Sequence, residues 1–302
     1  MYISVIIPTY NPNIQRLLST IEGLKQQSIY SNHWELIIVD NNSDNNFKHD
    51  IELSWKKDST IVIEEKQGLT YARMKGFLAA KGDIIILVDD DNILDKDYLK
   101  QTWDIFKNHE RLGAIGGKSV PQFEHEQPAW LSPFYYSLAL RDLGDTIIIE
   151  NWQNKYPIYA PIGAGMAVRK NALKTYIEKI ASGKSIITDR NGSSLSSGGD
   201  NDIVLEIIKS GWQTAYFPNL TLKHIIPGER LKVKYVAKLS KELNKSWVKL
   251  LESHNINPWN KIPGWTVSLR KVKAWFVYKA WKNSANYIKW KGACGTFEGL
   301  AD

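Results

Sequence analysis

Four short apolar runs in the first third of the chain, separated by stretches of helical period, constrain its fold more than any other feature. The runs are residues 3–7, 35–39, 60–63 and 83–88, and the stretches between them, 14–25, 47–56 and 69–80, are expected to be helices. This alternation predicts an α/β architecture, because parallel strands need a crossover between them. Three of the runs close on polar clusters: Pro8-Thr9-Tyr10-Asn11, Asp40-Asn41-Asn42-Ser43-Asp44 and Asp89-Asp90-Asp91-Asn92. In open parallel sheets the ligand crevice lies beyond the carboxyl ends of the strands, so these clusters are expected to converge on one site.

From 113 to 217 the pattern shortens, with strands expected at 113–120, 146–149 and 158–168 and helices at 170–180 and 201–209. A Gly- and Ser-rich stretch, 191–199, reads as a mobile loop. Residues 231–251 then place Leu231, Tyr235, Leu239, Leu243, Trp247 and Leu250 close to helical spacing, with lysines mostly on the other faces. Beyond Pro258 and Pro263 a second basic, Trp-rich segment covers 265–291.

Charge divides the chain unevenly. Residues 223–302 hold 16 Lys and Arg against 5 Asp and Glu, while the preceding residues hold 23 against 27. A mildly acidic body with a basic tail suggests a tail that faces an anionic partner such as a phospholipid surface. A helical hairpin packed on the body, or a protein-partner surface, would also fit the pattern. Nucleic acid is not expected, since no nucleic-acid motif accompanies the charge. The start of the chain lacks the basic segment and small-residue cleavage site of a secretory signal, and no apolar run approaches the roughly 18 residues that cross a bilayer. With the single Cys294, the expected location is cytoplasmic, or peripheral on the inner face of the cell membrane.

Ile84-Ile85-Ile86-Leu87-Val88-Asp89-Asp90-Asp91 carries the chemistry. Three successive carboxylates at the end of a buried strand repel one another and are costly without a cation. A hard divalent ion takes carboxylate oxygens and keeps positions for phosphate oxygens, so it can stabilise the charge that develops on a departing diphosphate. A solvated acidic turn is the plain alternative.

Ser4-Val5-Ile6-Ile7-Pro8-Thr9-Tyr10-Asn11, Glu35-Leu36-Ile37-Ile38-Val39-Asp40-Asn41-Asn42-Ser43, Gly68-Leu69-Thr70-Tyr71-Ala72-Arg73 and Asp89-Asp90-Asp91 together resemble the ordered motifs of glycosyltransferase family 2, over roughly residues 3–225. The resemblance implies a GT-A-like mixed sheet flanked by helices. It divides 1–225 into a nucleotide-sugar-binding half (1–112) and an acceptor-binding half (113–225), followed by a basic helical extension (226–302). It implies that Thr9 and Tyr10 lie beside the nucleotide base, that Asp40 bonds the base and that Arg73 is a donor-side cation. Asp89 would contact the ribose and Asp91 would ligate Mn²⁺ or Mg²⁺, with Asp90 between them sharing either task. The expected partners are a UDP- or GDP-sugar donor and a saccharide or lipid-linked saccharide acceptor.

The same resemblance aligns Asp200 with the general base that takes the proton of the acceptor hydroxyl, which inverts the anomeric configuration. Here the chain departs from the family, since Gly199 stands where a Glu is usual. Helix capping is the alternative reading of Asp200. Ile162-Gly163-Ala164-Gly165-Met166-Ala167 resembles a small-residue strand beside the acceptor pocket. His224 is a candidate to complete the metal shell, because imidazole ligates Mn²⁺, although a packed structural histidine is an equal reading. Trp130, between Pro128 and Pro133, is expected in a loop over the acceptor. Two rivals stand. A sugar nucleotidyltransferase would carry a Gly-rich basic loop after the first strand, which is not found here, and a non-catalytic nucleotide-sugar-binding subunit draws support only from Gly199. No Gly-x-Gly-x-x-Gly follows the first strand, which disfavours an oxidoreductase.

Overall fold

The structure, a computed structural model, describes residues 1–183 and 198–301. The Gly/Ser-rich stretch read as a mobile loop lies, up to residue 197, outside the described residues.

Strands β1 (Ile3–Thr9), β2 (Trp34–Asp40), β3 (Ser59–Ile63) and β4 (Ile84–Leu87) form a parallel set in the order β3-β2-β1-β4. Every residue of β1, β2 and β4 is buried, as expected of strands covered on both faces. Alternate side chains feed two apolar layers. Ile3, Val5 and Ile7 join one with helices α1 (Ile14–Lys25) and α3 (Tyr98–Asn108), and Ile6, Ile37 and Ile85 join the other with α2 (Leu69–Ala79). β5 (Asn92–Leu94) follows the acidic triplet and pairs with β9 (Gln213–Ile226).

Antiparallel β8 (Ala167–Arg169) joins β4 to β6 (Leu112–Phe123), and β6 runs parallel to β9, which also pairs with β7 (Ile148–Glu150). Helices α4 (Lys174–Ala181) and α5 (Gly199–Lys209) flank this half. Among the described residues this makes one mixed sheet of nine strands between helical layers, the GT-A-like α/β architecture expected.

Two elements differ from expectation. Residues 47–56 form only a 3-10 turn at Phe47–His49, not a helix. Ile51, Leu53 and Trp55 pack on the core at a period of two, and the buried Lys56 ammonium donates to the Ser31 carbonyl at 2.8 Å. An irregular path that ends in a turn, with Lys56 N–H on the Leu53 carbonyl at 2.9 Å, satisfies that spacing and a helix does not. The strand expected at 158–168 shrinks to Ala167–Arg169. Pro161 and the left-handed Gly165 (φ 74°) turn the chain instead, so Gly163–Ala164–Gly165 is a turn and not a strand. The sequence also left α3, β5 and most of β9 unassigned.

The basic extension is three helices, α6 (Val233–Ser253), α7 (Val267–Val277) and α8 (Ser284–Ala301). Gly292, Gly295 and Gly299 let α8 lie close on α6, where a Cβ at Gly295 would come within 2.0 Å of the Lys241 carbonyl oxygen. Val236, Leu239 and Ile288 share a third apolar cluster with Leu131, Phe134 and Leu138, so the extension is packed against the body.

Candidate active site

Register brings the polar clusters to one edge. Thr9 lies opposite Asp40 in the β1–β2 ladder, and Ile6 lies opposite Leu87 in the β1–β4 ladder. Strands that start level end level, so the acidic triplet emerges beside Thr9, whose hydroxyl donates to the Asp90 carboxylate. Because β1 sits between β2 and β4, this edge is where the strand order reverses, the usual position of a ligand crevice in such sheets.

Asp40 is buried, and desolvation alone would raise its pKa. The Lys48 ammonium at 2.6 Å and the Ser43 N–H at 2.9 Å outweigh that penalty and hold the carboxyl below its usual range. Asn41 ties the edge to α2. Its amide donates to the Glu64 and Lys66 carbonyls at 3.0 and 2.8 Å, and its oxygen accepts from the Gly68 N–H at 2.7 Å. Gly68 has φ 135°, open to glycine but strained for other residues, and from it α2 begins, delivering a buried Arg73. Tyr10 is partly exposed at the mouth, with its hydroxyl 3.5 Å from Asp44.

The triplet crowds three carboxylates at one largely buried edge. Burial first, then the neighbouring Asp91 and Asp89 carboxylates, push Asp90 up to about 7, against the pull of Thr9 and Arg230. Asp91 is buried, with one oxygen 3.3 Å from His224 Nε2 and the other 3.2 Å from the Arg230 guanidinium. His224 reaches it because β5 and β9 pair Asn92 with His224. Arg230 arrives from the 3-10 turn Gly228–Leu231 that follows β9, and it lies 3.4 Å from the same imidazole nitrogen. The set fits a hard divalent cation. Asp91 offers a carboxylate and His224 an imidazole nitrogen, and Arg230 stands between them, so a cation held there takes the place of the guanidinium.

A second carboxylate stands on the Gly163 turn. Gly165 N–H donates to the Leu87 carbonyl at 3.0 Å, which fixes the turn at the end of β4, two residues from Asp89. The buried Tyr98 hydroxyl donates to the Gly165 carbonyl at 2.6 Å, and burial raises that phenol's pKa. Gly163 N–H in turn donates to Asp200 Oδ2 at 2.9 Å. A Cβ on Gly163 would lie 2.8 Å from Arg73 Nη2 and 3.2 Å from Asp200 Oδ2, so guanidinium and carboxylate share one small turn. Asp200 does not cap α5. The cap position is Gly198, and Asp200 lies in the first turn, where the helix dipole favours its negative charge.

The model of the glycosyl transferase family 2 matches residues 4–176, more than half of the chain. The chain belongs to glycosyltransferase family 2. The matched span includes Thr9, Asp40, Arg73, the acidic triplet and the Gly163 turn, and ends before Asp200, His224 and Arg230. Among curated relatives, the chain is 25% identical over 161 residues to the glucosyl-dolichyl phosphate glucuronosyltransferase of Haloferax volcanii, covering 52% of this chain and 50% of that one. It is 33% identical over 142 residues to the dolichol-phosphate mannosyltransferase of Pyrococcus furiosus, covering 46% and 38%. The chain thus spans half or less of the length of these relatives. Its fold is similar to that of Staphylococcus aureus TarS 1–349 in complex with UDP-GlcNAc, with a TM-score of 0.57 at 14% identity, covering 100% of this chain and 90% of that chain.

Two further groups make packing and ion-pair contacts. Trp130 packs on Phe134 in the third apolar cluster, alongside residues of α6 and α8. Asp202, His254 and Glu206 place ligand atoms within 4.8 Å of one another, a metal-like spacing. The Lys179 ammonium stands among them, however, at 2.7 Å from Asp202 and 2.8 Å from Glu206, so the cluster is an ion-paired clasp between α4, α5 and the end of α6.

Sequence reasoning missed Lys48, Tyr98 and the clasp, and read Asn41 only as part of a motif. It also missed Tyr156, which donates to Asn201 next to Asp200 and meets Trp247 of α6 edge to face at 4.8 Å. A basic residue eight positions after Asp40 was the only available signal for Lys48.

Proposed function

We propose that this family 2 chain transfers a sugar from a nucleotide diphosphate onto an acceptor hydroxyl with inversion, in the assembly of a surface polysaccharide or lipid-linked glycan. The observation that supports it best is the convergence of the acidic triplet and the Asp200–Arg73 turn at the end of β4. In this reading residues 1–112 bind the donor, 113–225 bind the acceptor and 226–302 form the basic extension.

Thr9, Tyr10 and Asp40 bound the base pocket, with Asp40 kept ionised by Lys48 and Ser43 so that it can accept from a base imide N–H. Asp89 accepts from ribose hydroxyls. Asp91 and His224 hold Mn²⁺ or Mg²⁺, with Asp90 beside them. The bound cation supplies Lewis-acid stabilisation of the departing diphosphate. Arg73 pairs with phosphate oxygens from the opposite side. The Asp200 carboxylate removes the acceptor proton as the acceptor oxygen attacks the anomeric carbon, and the nucleoside diphosphate leaves from the other face. The Gly163–Ala164–Gly165 turn admits the acceptor closely because it presents almost no side chain. Lipid-linked substrates of the archaeal relatives, and the UDP-GlcNAc held by TarS, are consistent with a UDP- or GDP-sugar donor and a saccharide or lipid-linked acceptor at the cytoplasmic face of a membrane.

A screen of UDP- and GDP-sugars with Mn²⁺, read as thermal stabilisation, tests the donor assignment. Ligand at a hundred times Kd stabilises by about 2.7 kcal/mol. Asp200→Asn should keep that stabilisation and lose ~10²–10⁴-fold in transfer. Normal transfer by the variant would remove Asp200 as the base, and no stabilisation by any nucleotide-sugar would overturn the function.

A further inference from the structure

Helix α7 is inside out by the standards of a surface helix. Its buried contact is Ala274, whereas Trp265 just ahead of it and Leu269, Val272 and Phe276 within it are 77%, 64%, 59% and 62% exposed. Their spacings of four, three and four residues put all four on one stripe, roughly opposite Ala274. Val277 and Trp281 extend the patch at 66% and 58%. With aromatic side chains of ~150–250 Å² each, the patch comes to roughly 600–700 Å², above the largest patch of an ordinary soluble monomer.

The patch is held outward by its own packing. Lys271 bonds Glu298 of α8 at 2.6 Å, the Trp290 indole donates to the Lys271 carbonyl at 3.0 Å, and Trp275 meets Trp290 edge to face at 4.7 Å. Turning the stripe inward would break all three. The surroundings are predominantly basic, since residues 253–297 hold eight Lys and Arg and no Asp or Glu, and only Lys261 and Lys271 of the eight are in ion pairs, with Glu252 and Glu298, among the described pairs. Lys273 and Arg270 flank the stripe on the helix, and Lys279 and Lys282 continue the basic rim.

We propose that the α7 stripe docks this protein on an anionic phospholipid bilayer, with Trp265, Leu269, Val272 and Phe276 inserted at the headgroup boundary and the cations on lipid phosphates. The chemistry selects this occupant. Nucleic acid calls for a basic centre, whereas here the centre is apolar and the cations lie at the flanks. A second copy would bring two acid-free basic rims together. Apolar and Trp side chains flanked by Lys and Arg are what an interfacial helix presents to an anionic leaflet. Among the described residues no helix is long and apolar enough to cross a membrane, so the contact lies on the bilayer and does not span it. The inference rests on the reading of a lipid-linked or membrane-associated acceptor only for its biological sense, and its test needs neither donor nor turnover.

The test is co-sedimentation of the full chain, without nucleotide, with phosphatidylcholine vesicles and with mixed phosphatidylglycerol–phosphatidylcholine vesicles, alongside sedimentation equilibrium of the free protein. The expected result is binding to the mixed vesicles that weakens with salt, and little binding to phosphatidylcholine alone. Leu269→Ser with Phe276→Ser, and separately Lys273→Glu with Lys279→Glu, should each weaken it about tenfold or more, with melting temperature and transfer to a soluble acceptor unchanged. These are exposed positions, so folding is retained. Failure of the wild-type chain to bind mixed vesicles overturns the proposal. So does binding that both variants leave intact, or a dimer that the Leu269→Ser and Phe276→Ser pair dissolves. Loss of vesicle binding with normal donor stabilisation would leave the transferase reading in place.

Discussion

Gly163→Ala probes the shared turn with a single methyl group. Its backbone is not in the left-handed region, so alanine brings no conformational strain of its own. The added Cβ would lie 2.8 Å from Arg73 Nη2, 3.2 Å from Asp200 Oδ2 and 3.3 Å from Asp200 Cβ. Ordinary contact requires about 3.5–4.0 Å, so the guanidinium must give way by roughly 0.7 Å or more and the carboxylate by a few tenths of an ångström. Arg73 is a buried residue of α2, and Asp200 is fixed by the N–H of the very residue substituted, so neither can retreat without leaving its place. A displacement near 1 Å at reacting groups lowers rates ~10²-fold. We therefore expect transfer to fall by about 10–100-fold, equivalent to ~1.4–2.7 kcal/mol in the barrier. The melting temperature should change by only a few degrees, because the methyl group points into the site and not into the core. Steady-state kinetics of nucleoside diphosphate release, with calorimetry on the same samples, would measure both. Wild-type turnover in a folded Gly163→Ala protein would refute the claim that Asp200 and Arg73 act from the positions seen here.

Two further outcomes follow from the packing. Gly295→Ala drives a methyl group into the Lys241 carbonyl across the α6–α8 contact, and should destabilise by about 1–3 kcal/mol, lowering Tm by roughly 2–4 °C for each of them; an unchanged Tm would show that the helices are not in close contact. In the clasp, desolvation raises the Asp202 pKa, but the bonds from His254 and Lys179 prevail and hold it below the usual carboxylate range. A depressed folded value contributes stability above the unfolded pKa that is lost as pH falls through the folded one, so acid melts should steepen below about pH 4. Asp202→Asn should remove that component and destabilise the neutral protein by about 1–3 kcal/mol, since it takes a charged acceptor from Lys179 and His254 while Glu206 still pairs with Lys179; equal acid slopes in the two proteins would contradict the assignment.

What could be read in advance follows physical range. β1, β2, β4, α1 and α2 were legible because burial on two faces and helical period are local properties of the chain. The convergence of Thr9, Asp40 and Asp90 was legible because parallel strands in register end together. The helix expected at 47–56 failed because Ile51, Leu53 and Trp55 answer to a core surface that lies elsewhere in the sequence. The strand expected at 158–168 failed because its apolar residues line a turn held by Tyr98, far away in the chain. Lys48 on Asp40, Arg230 on Asp91 and Lys179 within the clasp are ion pairs whose partners only the fold brings together. Trp130, a proline-flanked tryptophan expected in a loop over the acceptor, is half-buried and packs with the cluster that fastens the extension.

The central claim is that the triplet after β4, with His224, grips a divalent cation and through it a diphosphate. Titration of Mn²⁺ into the full chain, followed by electron paramagnetic resonance with and without UDP or GDP, tests it most directly. The account predicts one bound ion per chain that nucleoside diphosphate tightens, with binding abolished by Asp91→Ala and untouched by Asp202→Asn. Binding that survives Asp91→Ala, or disappears with Asp202→Asn, would contradict it.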